Sequence, residues 1–165
     1  MKRVIKKIIP AVCMTSILFS AGCTGTTDTK KENVEKQAIQ TEIGKEKVSR
    51  AMKMKVTAAK IVKDETVSEQ EEVVQIQFDI KNEGNEDNGI GAGDFVIKDE
   101  KGKTYEMYGR EDNFGDVIPA GKSLKGNGYY RVAKDTKELK VVYSPTVQKE
   151  KDEKVIEWNI GHPEK

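Results

Sequence analysis

The sequence predicts an all-β protein, whose globular part, residues 51–165, folds as an antiparallel β-sandwich of about seven strands. Three observations support this prediction. Apolar and polar residues alternate strictly in several short segments, turn residues separate these segments, and no segment between them has helical periodicity. Short strands at such spacing, without helices between them, are typical of a two-layer sandwich.

The first two predicted strands show the alternation most clearly. Met52, Met54 and Val56 alternate with polar residues, and the segment from Val74 to Ile80 repeats the pattern. Further strands are predicted at residues 94–98, 103–108, 123–132, 139–143 and 155–160. Turn residues at 99–102, 119–121 and 133–136 separate them.

The predicted core consists of the residues that share the inward phase of these strands. It comprises Val74, Ile76, Phe78, Ile80, Phe95, Ile97, Tyr105, Leu124, Tyr130, Val132, Leu139, Val141, Tyr143, Ile156, Trp158 and Ile160. Gly126 and Gly128 occupy the same phase, so we expect a bulge or a close sheet crossing there.

Residues 1–22 have the organisation of a secretory signal peptide. Basic residues cluster at positions 2–7, and no charged side chain occurs from Ile8 to Gly22. This apolar stretch is shorter than the ~20 residues that a membrane-spanning helix needs. We therefore expect a cleaved signal and not a transmembrane anchor.

The residues Ser20-Ala21-Gly22-Cys23 resemble the lipobox of bacterial lipoprotein precursors, although Ser20 stands where a branched aliphatic residue is usual. In that family the cysteine thiol receives a diacylglyceryl group and the chain is cut before it. The resemblance implies cleavage between Gly22 and Cys23, lipidation of Cys23, and a location on the extracytoplasmic face of a Gram-positive cell membrane. An ordinary signal peptide that leaves Cys23 free is the alternative.

Residues 23–50 are expected to form a flexible polar tether between the anchor and the domain, because their few isolated apolar residues cannot bury a core. The chain has a net charge of +1, and removing the four cations of the signal leaves −3. No nucleic-acid partner is therefore expected. The expected partners are the membrane, through the lipid, and a protein or cell-envelope component.

A second resemblance covers most of residues 52–160. The segments VQIQFDIKN (74–82), DFVIKDEKGKTY (94–105) and IPAGKSLKG (118–126) resemble an uncharacterised family of immunoglobulin-like domains in Gram-positive lipoproteins. That family is similar in fold to a mycobacterial secreted immunogenic protein. The resemblance implies an immunoglobulin-like sandwich and supplies no catalytic residue.

Two acidic loops, at residues 82–93 and 109–117, are the most suggestive ligand sites and should emerge at the same end of the sandwich. Seven carboxylates in or beside them are candidate Ca²⁺ ligands: Glu83, Glu86, Asp87, Asp94, Glu111, Asp112 and Asp116. Their spacing does not fit an EF-hand, and a solvated acidic loop is the alternative. Apart from Ca²⁺, no cofactor is expected.

The remaining polar and aromatic residues suggest binding more than catalysis. Tyr108, Phe114 and Tyr129 are expected to be partly exposed and to offer a ligand patch, whereas His162 is expected in a frayed tail. With one histidine in the chain, we expect a non-enzymatic binding or interaction domain of unknown ligand. A cation-binding module, a purely structural surface protein and a cell-envelope hydrolase are the alternatives.

Overall fold

The computed structural model describes residues 40–145 and 155–165. Ten strands and one 3-10 turn, Ala92–Asp94, form in this part of the chain. In chain order the strands are β1 (Glu46–Ser49), β2 (Met52–Val62), β3 (Glu71–Asn82), β4 (Asn88–Gly91), β5 (Phe95–Asp99), β6 (Thr104–Tyr105), β7 (Gly115–Ile118), β8 (Ser123–Ala133), β9 (Leu139–Tyr143) and β10 (Ile156–Gly161). Within these ranges no helix has the length and apolar character needed to cross a membrane.

The strands form an antiparallel β-sandwich, as predicted. One four-stranded sheet has the order β1-β2-β3-β8, and a second has the order β10-β9-β5-β6. A separate two-stranded ladder joins β4 to β7. All seven predicted strands have a counterpart in the structure, and the short strands β1, β4 and β7 are additions to them.

Apolar side chains from both sheets meet in one core. Trp158, Tyr130 and Phe78 are its largest side chains, and each is almost fully buried. The predicted inward face is confirmed except at Leu124 and Tyr143, which are half-buried against the core. Because each large apolar side chain contributes about 1.5–3 kcal/mol when buried, this core is the main source of stability.

A bulge in β2 changes which side chains of that strand face the core. Up to the bulge the even-numbered residues face inward, and Val56 pairs with Phe78. The register then shifts between Val56 and Ala58, so that Ile61 pairs with Val74. The extra residue thus turns Ile61 inward, and Ile61 packs against the core at one end of the sandwich.

The segment between β6 and β7 runs along the outer edge of β8. The amide of Tyr108 donates to Tyr129 O (2.7 Å), and the amide of Phe114 donates to Asn127 O (2.8 Å). A Cβ on Gly126 would lie 2.2 Å from Phe114 Cβ, so this segment approaches the strand closely. The bulge expected at Gly126 and Gly128 is absent, since the pairing of β3 with β8 continues past both. The close neighbour of Gly126 is this segment of chain, through Phe114.

The ordered sheet begins earlier than predicted. β1 lies within residues 23–50, which were expected to be tether, and it pairs with β2. Ile43 packs against the core, and Trp158 Nε1 donates to Lys45 O (2.9 Å). The predicted tether therefore extends too far at its C-terminal end. The strand was not predicted because four residues with one apolar side chain give no clear alternation. Residues 23–39 of the tether lie outside the described residues.

Candidate functional site

The two predicted acidic loops contain the short β4–β7 ladder. The expectation that these loops come together is confirmed, since Ile90 of one pairs with Asp116 of the other. Ile90 and Ile118 are buried in the core, so the ladder is part of the hydrophobic structure. The loops are held by backbone pairing and apolar contact, without any need for a bound ion.

Asn82 ties this ladder to the end of β3. Its side chain is fully buried, and its Nδ2 donates to Glu86 O (2.7 Å) and to Ile118 O (2.9 Å). Its Oδ1 accepts from the amide of Gly84 (2.9 Å). One asparagine therefore satisfies backbone groups from two loops.

Two of the seven candidate calcium ligands form hydrogen-bonded ion pairs with basic side chains. Glu83 lies 2.9 Å from the ammonium of Lys53, whose hydrogen bond lowers the pKa of Glu83. Asp112 accepts from the hydroxyl of Tyr129 and from Arg110 Nε, and the tyrosine hydrogen bond is the main cause of its lowered pKa. These carboxylates already have donors.

Three other candidates accept hydrogen bonds from nearby backbone amides. The amides are those of Ala120 for Asp87 (3.1 Å), Gly91 for Asp94 (2.8 Å) and Val117 for Asp116 (2.7 Å). Glu86 and Glu111 are exposed. Within residues 40–145 and 155–165, no group of three or more His, Cys, Asp or Glu side chains is placed to hold a metal ion. The geometry therefore gives a calcium site here no support.

Of the three aromatic residues expected to be partly exposed, Tyr108 and Phe114 are half-buried, and only the expectation for Tyr129 is wrong. Tyr129 is 4% exposed, because Arg110 and Asp112 cover it: the guanidinium lies 4.5 Å from the ring centroid and the carboxylate accepts from the hydroxyl. Burial, followed by the bond to Asp112, raises the pKa of Tyr129. Tyr108 is half-buried, and Phe114 packs on Phe78 with ring centroids 5.3 Å apart.

A cavity of about 510 Å³ lies at the end of the sandwich where the β2–β3 hairpin turns. Its apolar wall is formed by Ile61, Val62 and Val67. Its polar wall is formed by Lys63, Asp64, Ser68, Glu69, Glu71, Glu72, Lys134 and Lys165. A volume of this size is within the range of small-molecule sites, so this cavity is the candidate functional site.

The carboxylate of Glu72 is the unusual group in this cavity. Glu72 pairs with Val132 in the same inward phase as Val74, so it extends the core face of β3. The residue is 7% exposed, and its Oε1 has no hydrogen-bond donor among the described residues. Buried polar atoms almost always have a partner, so an unpartnered carboxylate oxygen at the wall of a cavity calls for an explanation.

The C-terminal tail closes one side of the cavity, which corrects the expectation of a frayed terminus. The amide of Ile61 donates to Glu164 O (2.9 Å), and Pro163 is buried. These contacts hold the exposed His162 with its Nε2 at 3.6 Å from Glu72 Oε1. That distance is too long for a hydrogen bond, and the two groups form an ion pair only when the imidazole is protonated.

Other charges on the wall have hydrogen-bond partners. Arg110 Nη1 donates to Asp64 (3.1 Å), and the hydroxyl of Thr66 is the main cause of the lowered pKa of Asp64. The ammonium of Lys134 donates to Glu69 O (2.7 Å). Glu72 is therefore the buried carboxylate of this wall whose hydrogen bonding is incomplete.

Sequence analysis missed this site, although one signal of it was present. Glu72 precedes Val74 by two residues and so extends the apolar alternation of β3 with an acid. The walls come from the end of β2, the β2–β3 turn and the start of β3, together with Lys134, which follows β8, and Lys165 in the tail. Only the folded chain brings these segments together. Cys23 and the cleavage position after Gly22 lie outside the described residues.

Comparison with known families and structures gives the following matches. Residues 41–154 match a family described as a domain of unknown function, DUF4352. No curated protein matches the chain. A candidate lipoprotein, YcdA, from Bacillus subtilis is similar with a TM-score of 0.59 and 22% identity, over 70% of this chain and 38% of that one. The secreted protein MPT63 from Mycobacterium tuberculosis gives a TM-score of 0.48 and 16% identity, over 59% of this chain and 77% of that one.

At 22% identity, the similarity to YcdA shows the fold alone. This chain spans 38% of the length of YcdA, so most of that protein has no counterpart in the aligned region.

Proposed function

The chain belongs to the DUF4352 family, and on that premise we propose that it is a membrane-anchored extracytoplasmic lipoprotein whose β-sandwich is a non-enzymatic binding module. The anchor in this proposal is a lipid on Cys23, and the binding site is the cavity beside Glu72. The incompletely hydrogen-bonded carboxylate in a cavity of about 510 Å³ is the observation that carries the binding role.

The first 23 residues support the anchor. A basic head, an uncharged apolar stretch and the residues Ser20-Ala21-Gly22-Cys23 follow one another in the order of a lipoprotein signal. The description of YcdA as a candidate lipoprotein agrees with this proposal. Because each buried methylene contributes ~0.8 kcal/mol, two acyl chains would hold the protein far more firmly than one myristoyl chain.

Metabolic labelling with an alkyne fatty acid tests the anchor. The chain contains two cysteines, Cys13 and Cys23, so Cys13→Ala is a matched control for Cys23→Ala. We expect the wild type and Cys13→Ala to be labelled and to sediment with membranes, and Cys23→Ala to remain unlabelled. Equal labelling of all three proteins would refute lipidation at Cys23.

Saturation-transfer NMR with a mixed library of small compounds tests the binding role. Val67 lines the cavity and is half-buried, so Val67→Trp should place an indole in the cavity, whereas Val117→Trp adds an indole at an exposed site in β7. We expect compounds that bind the wild type to bind Val117→Trp and to lose their signal with Val67→Trp. If no compound binds the wild type, or if Val67→Trp binds equally well, the proposed binding role is wrong.

A further inference from the structure

We infer that the cavity binds a small organic cation, in which a primary ammonium or an amidinium group adjoins an apolar body. This inference rests on the proposed binding role and adds the class of ligand. The observation behind it is the carboxylate of Glu72, which lines the cavity, is 7% exposed and has an oxygen without a donor among the described residues.

The inward-facing neighbours of Glu72 on the strands are apolar. In its inward phase the neighbours are Val74 on the same strand and Val132 on β8, and both are buried and apolar. A desolvated carboxylate oxygen loses its hydrogen bonds to water, and this loss is compensated only when a donor replaces them. A ligand ammonium or amidinium N–H would supply a charge-assisted hydrogen bond, the strongest kind that a carboxylate accepts.

His162 forms an ion pair with Glu72 only when its imidazole is protonated. Its Nε2 lies 3.6 Å from Oε1, and the ring is exposed to solvent. The imidazole therefore leaves the oxygen without a hydrogen bond, and a cation entering the cavity meets a carboxylate that is still able to accept one.

The charges of the wall favour a cation over an anion. Four carboxylates and three lysines line the cavity: Asp64, Glu69, Glu71, Glu72, Lys63, Lys134 and Lys165. Two of the lysines are engaged, since Lys63 pairs with Glu65 (2.8 Å) and Lys134 donates to a backbone carbonyl. Two of the carboxylates are also engaged, Asp64 by Arg110 (3.1 Å) and Glu71 by Arg131 (3.5 Å), whereas Glu72 has no such arginine partner. An anion would have to approach the buried carboxylate of Glu72, where like charges repel each other.

The size and lining of the cavity favour an organic cation over a metal ion. Ca²⁺ takes six to eight oxygen ligands in proteins. Among the residues described, no cluster of three or more potential metal-binding side chains exists. A volume of about 510 Å³ exceeds what a bare ion occupies, and Ile61, Val62 and Val67 offer an apolar surface to a hydrocarbon body.

Isothermal titration calorimetry with two matched sets of compounds tests the inference. The full chain, purified in detergent, is titrated with benzamidine, benzamide and benzoate, and then with butylamine, butanol and butyrate, with protein-free micelles as the blank. Glu72→Gln removes the buried charge and keeps the shape of the side chain. Glu111→Gln removes the same charge from an exposed loop and is the matched control.

We expect the two cations to bind the wild type and Glu111→Gln with equal affinity, and the neutral and anionic analogues to bind much more weakly. In Glu72→Gln the Kd for the cations should rise by about tenfold or more. Glu72→Met, which also lacks the charge, should show the same rise, and thermal unfolding curves verify that both variants fold.

Equal cation affinity in the wild type and Glu72→Gln would overturn the inference, as would the absence of cation binding to the wild type. If neutral or anionic analogues bind as tightly as the cations and Val67→Trp abolishes their binding, the cation inference fails while the proposed binding role stands. If the library also yields no ligand for the wild type, both fail.

Discussion

The substitution Asn82→Ala tests how the β4–β7 ladder is held to the sandwich. Asn82 is fully buried and forms three hydrogen bonds with backbone groups, two of them with the carbonyls of Glu86 and Ile118. Alanine removes all three bonds. The buried hydrogen bond from Asn82 Nδ2 to the carbonyl of Ile118 is one of the three.

The expected cost follows from these bonds. Two partly buried hydrogen bonds contribute about 1 kcal/mol each, and the loss of the buried bond to Ile118 O costs about 1–3 kcal/mol. We therefore expect Asn82→Ala to lower the free energy of unfolding by about 3–5 kcal/mol. For a domain of this size that corresponds to a fall in Tm of roughly 10–20 °C.

Urea unfolding followed by tryptophan fluorescence measures this loss, because the single Trp158 lies in the core. Asn88→Ala is the control, since Asn88 Nδ2 makes one exposed bond to Glu86 O at 3.3 Å. Asn88→Ala should change stability by less than about 1 kcal/mol. Equal stability of Asn82→Ala and wild type would refute the reasoning that this side chain fastens the ladder.

Three further outcomes follow from the structure. Glu72→Met should raise the free energy of unfolding by about 1–3 kcal/mol, because it removes an unsatisfied buried carboxylate. If urea denaturation instead gives a lower free energy of unfolding than that of the wild type, the carboxylate oxygen is satisfied. Gly126→Val should destabilise by about 2 kcal/mol or more in the same assay, because its Cβ would lie 2.2 Å from Phe114 Cβ, whereas Gly93→Ala has open space and should change little. The pKa of Asp99 is lowered, since hydrogen bonds from backbone amides and the Tyr105 hydroxyl outweigh the raising effect of burial. The ionised Asp99 contributes its full stability above the ordinary Asp pKa of about 3.9, and this contribution is lost as the pH falls through the lowered pKa. The difference in free energy of unfolding between the wild type and Asp99→Asn should therefore become smaller on acidification. A difference that does not change with pH would contradict this.

Strands with several alternating apolar residues were predictable from the sequence, and strands held mainly by pairing were not. β3 carries four inward apolar side chains from Val74 to Ile80, and β8 carries Leu124, Tyr130 and Val132 in one phase, so their local pattern is sufficient. β4 and β7 have four residues each, and Ile90 and Ile118 become core residues only because the two strands pair across the intervening chain. Local alternation cannot report such a nonlocal pairing.

Expectations about individual side chains meet the same difficulty. Tyr129 points away from the core phase of β8, which predicts exposure, but Arg110 and Asp112 from a distant loop cover it. The calcium prediction counted oxygen atoms near one another and did not include donors such as Lys53 that engage them. The sequence shows that Glu72 is an acid at a position of β3 that faces the core, but the cavity beside it exists only in the folded chain.

The segment that lies along β8 also affects how copies of the chain meet. An uncovered edge strand offers free amides and carbonyls to which a neighbouring molecule can add its own strand. Here Met107 forms a bridge with Tyr130, and Asn113 forms one with Asn127, so the protein occupies part of that edge itself. This self-capping disfavours growth of an intermolecular sheet from β8.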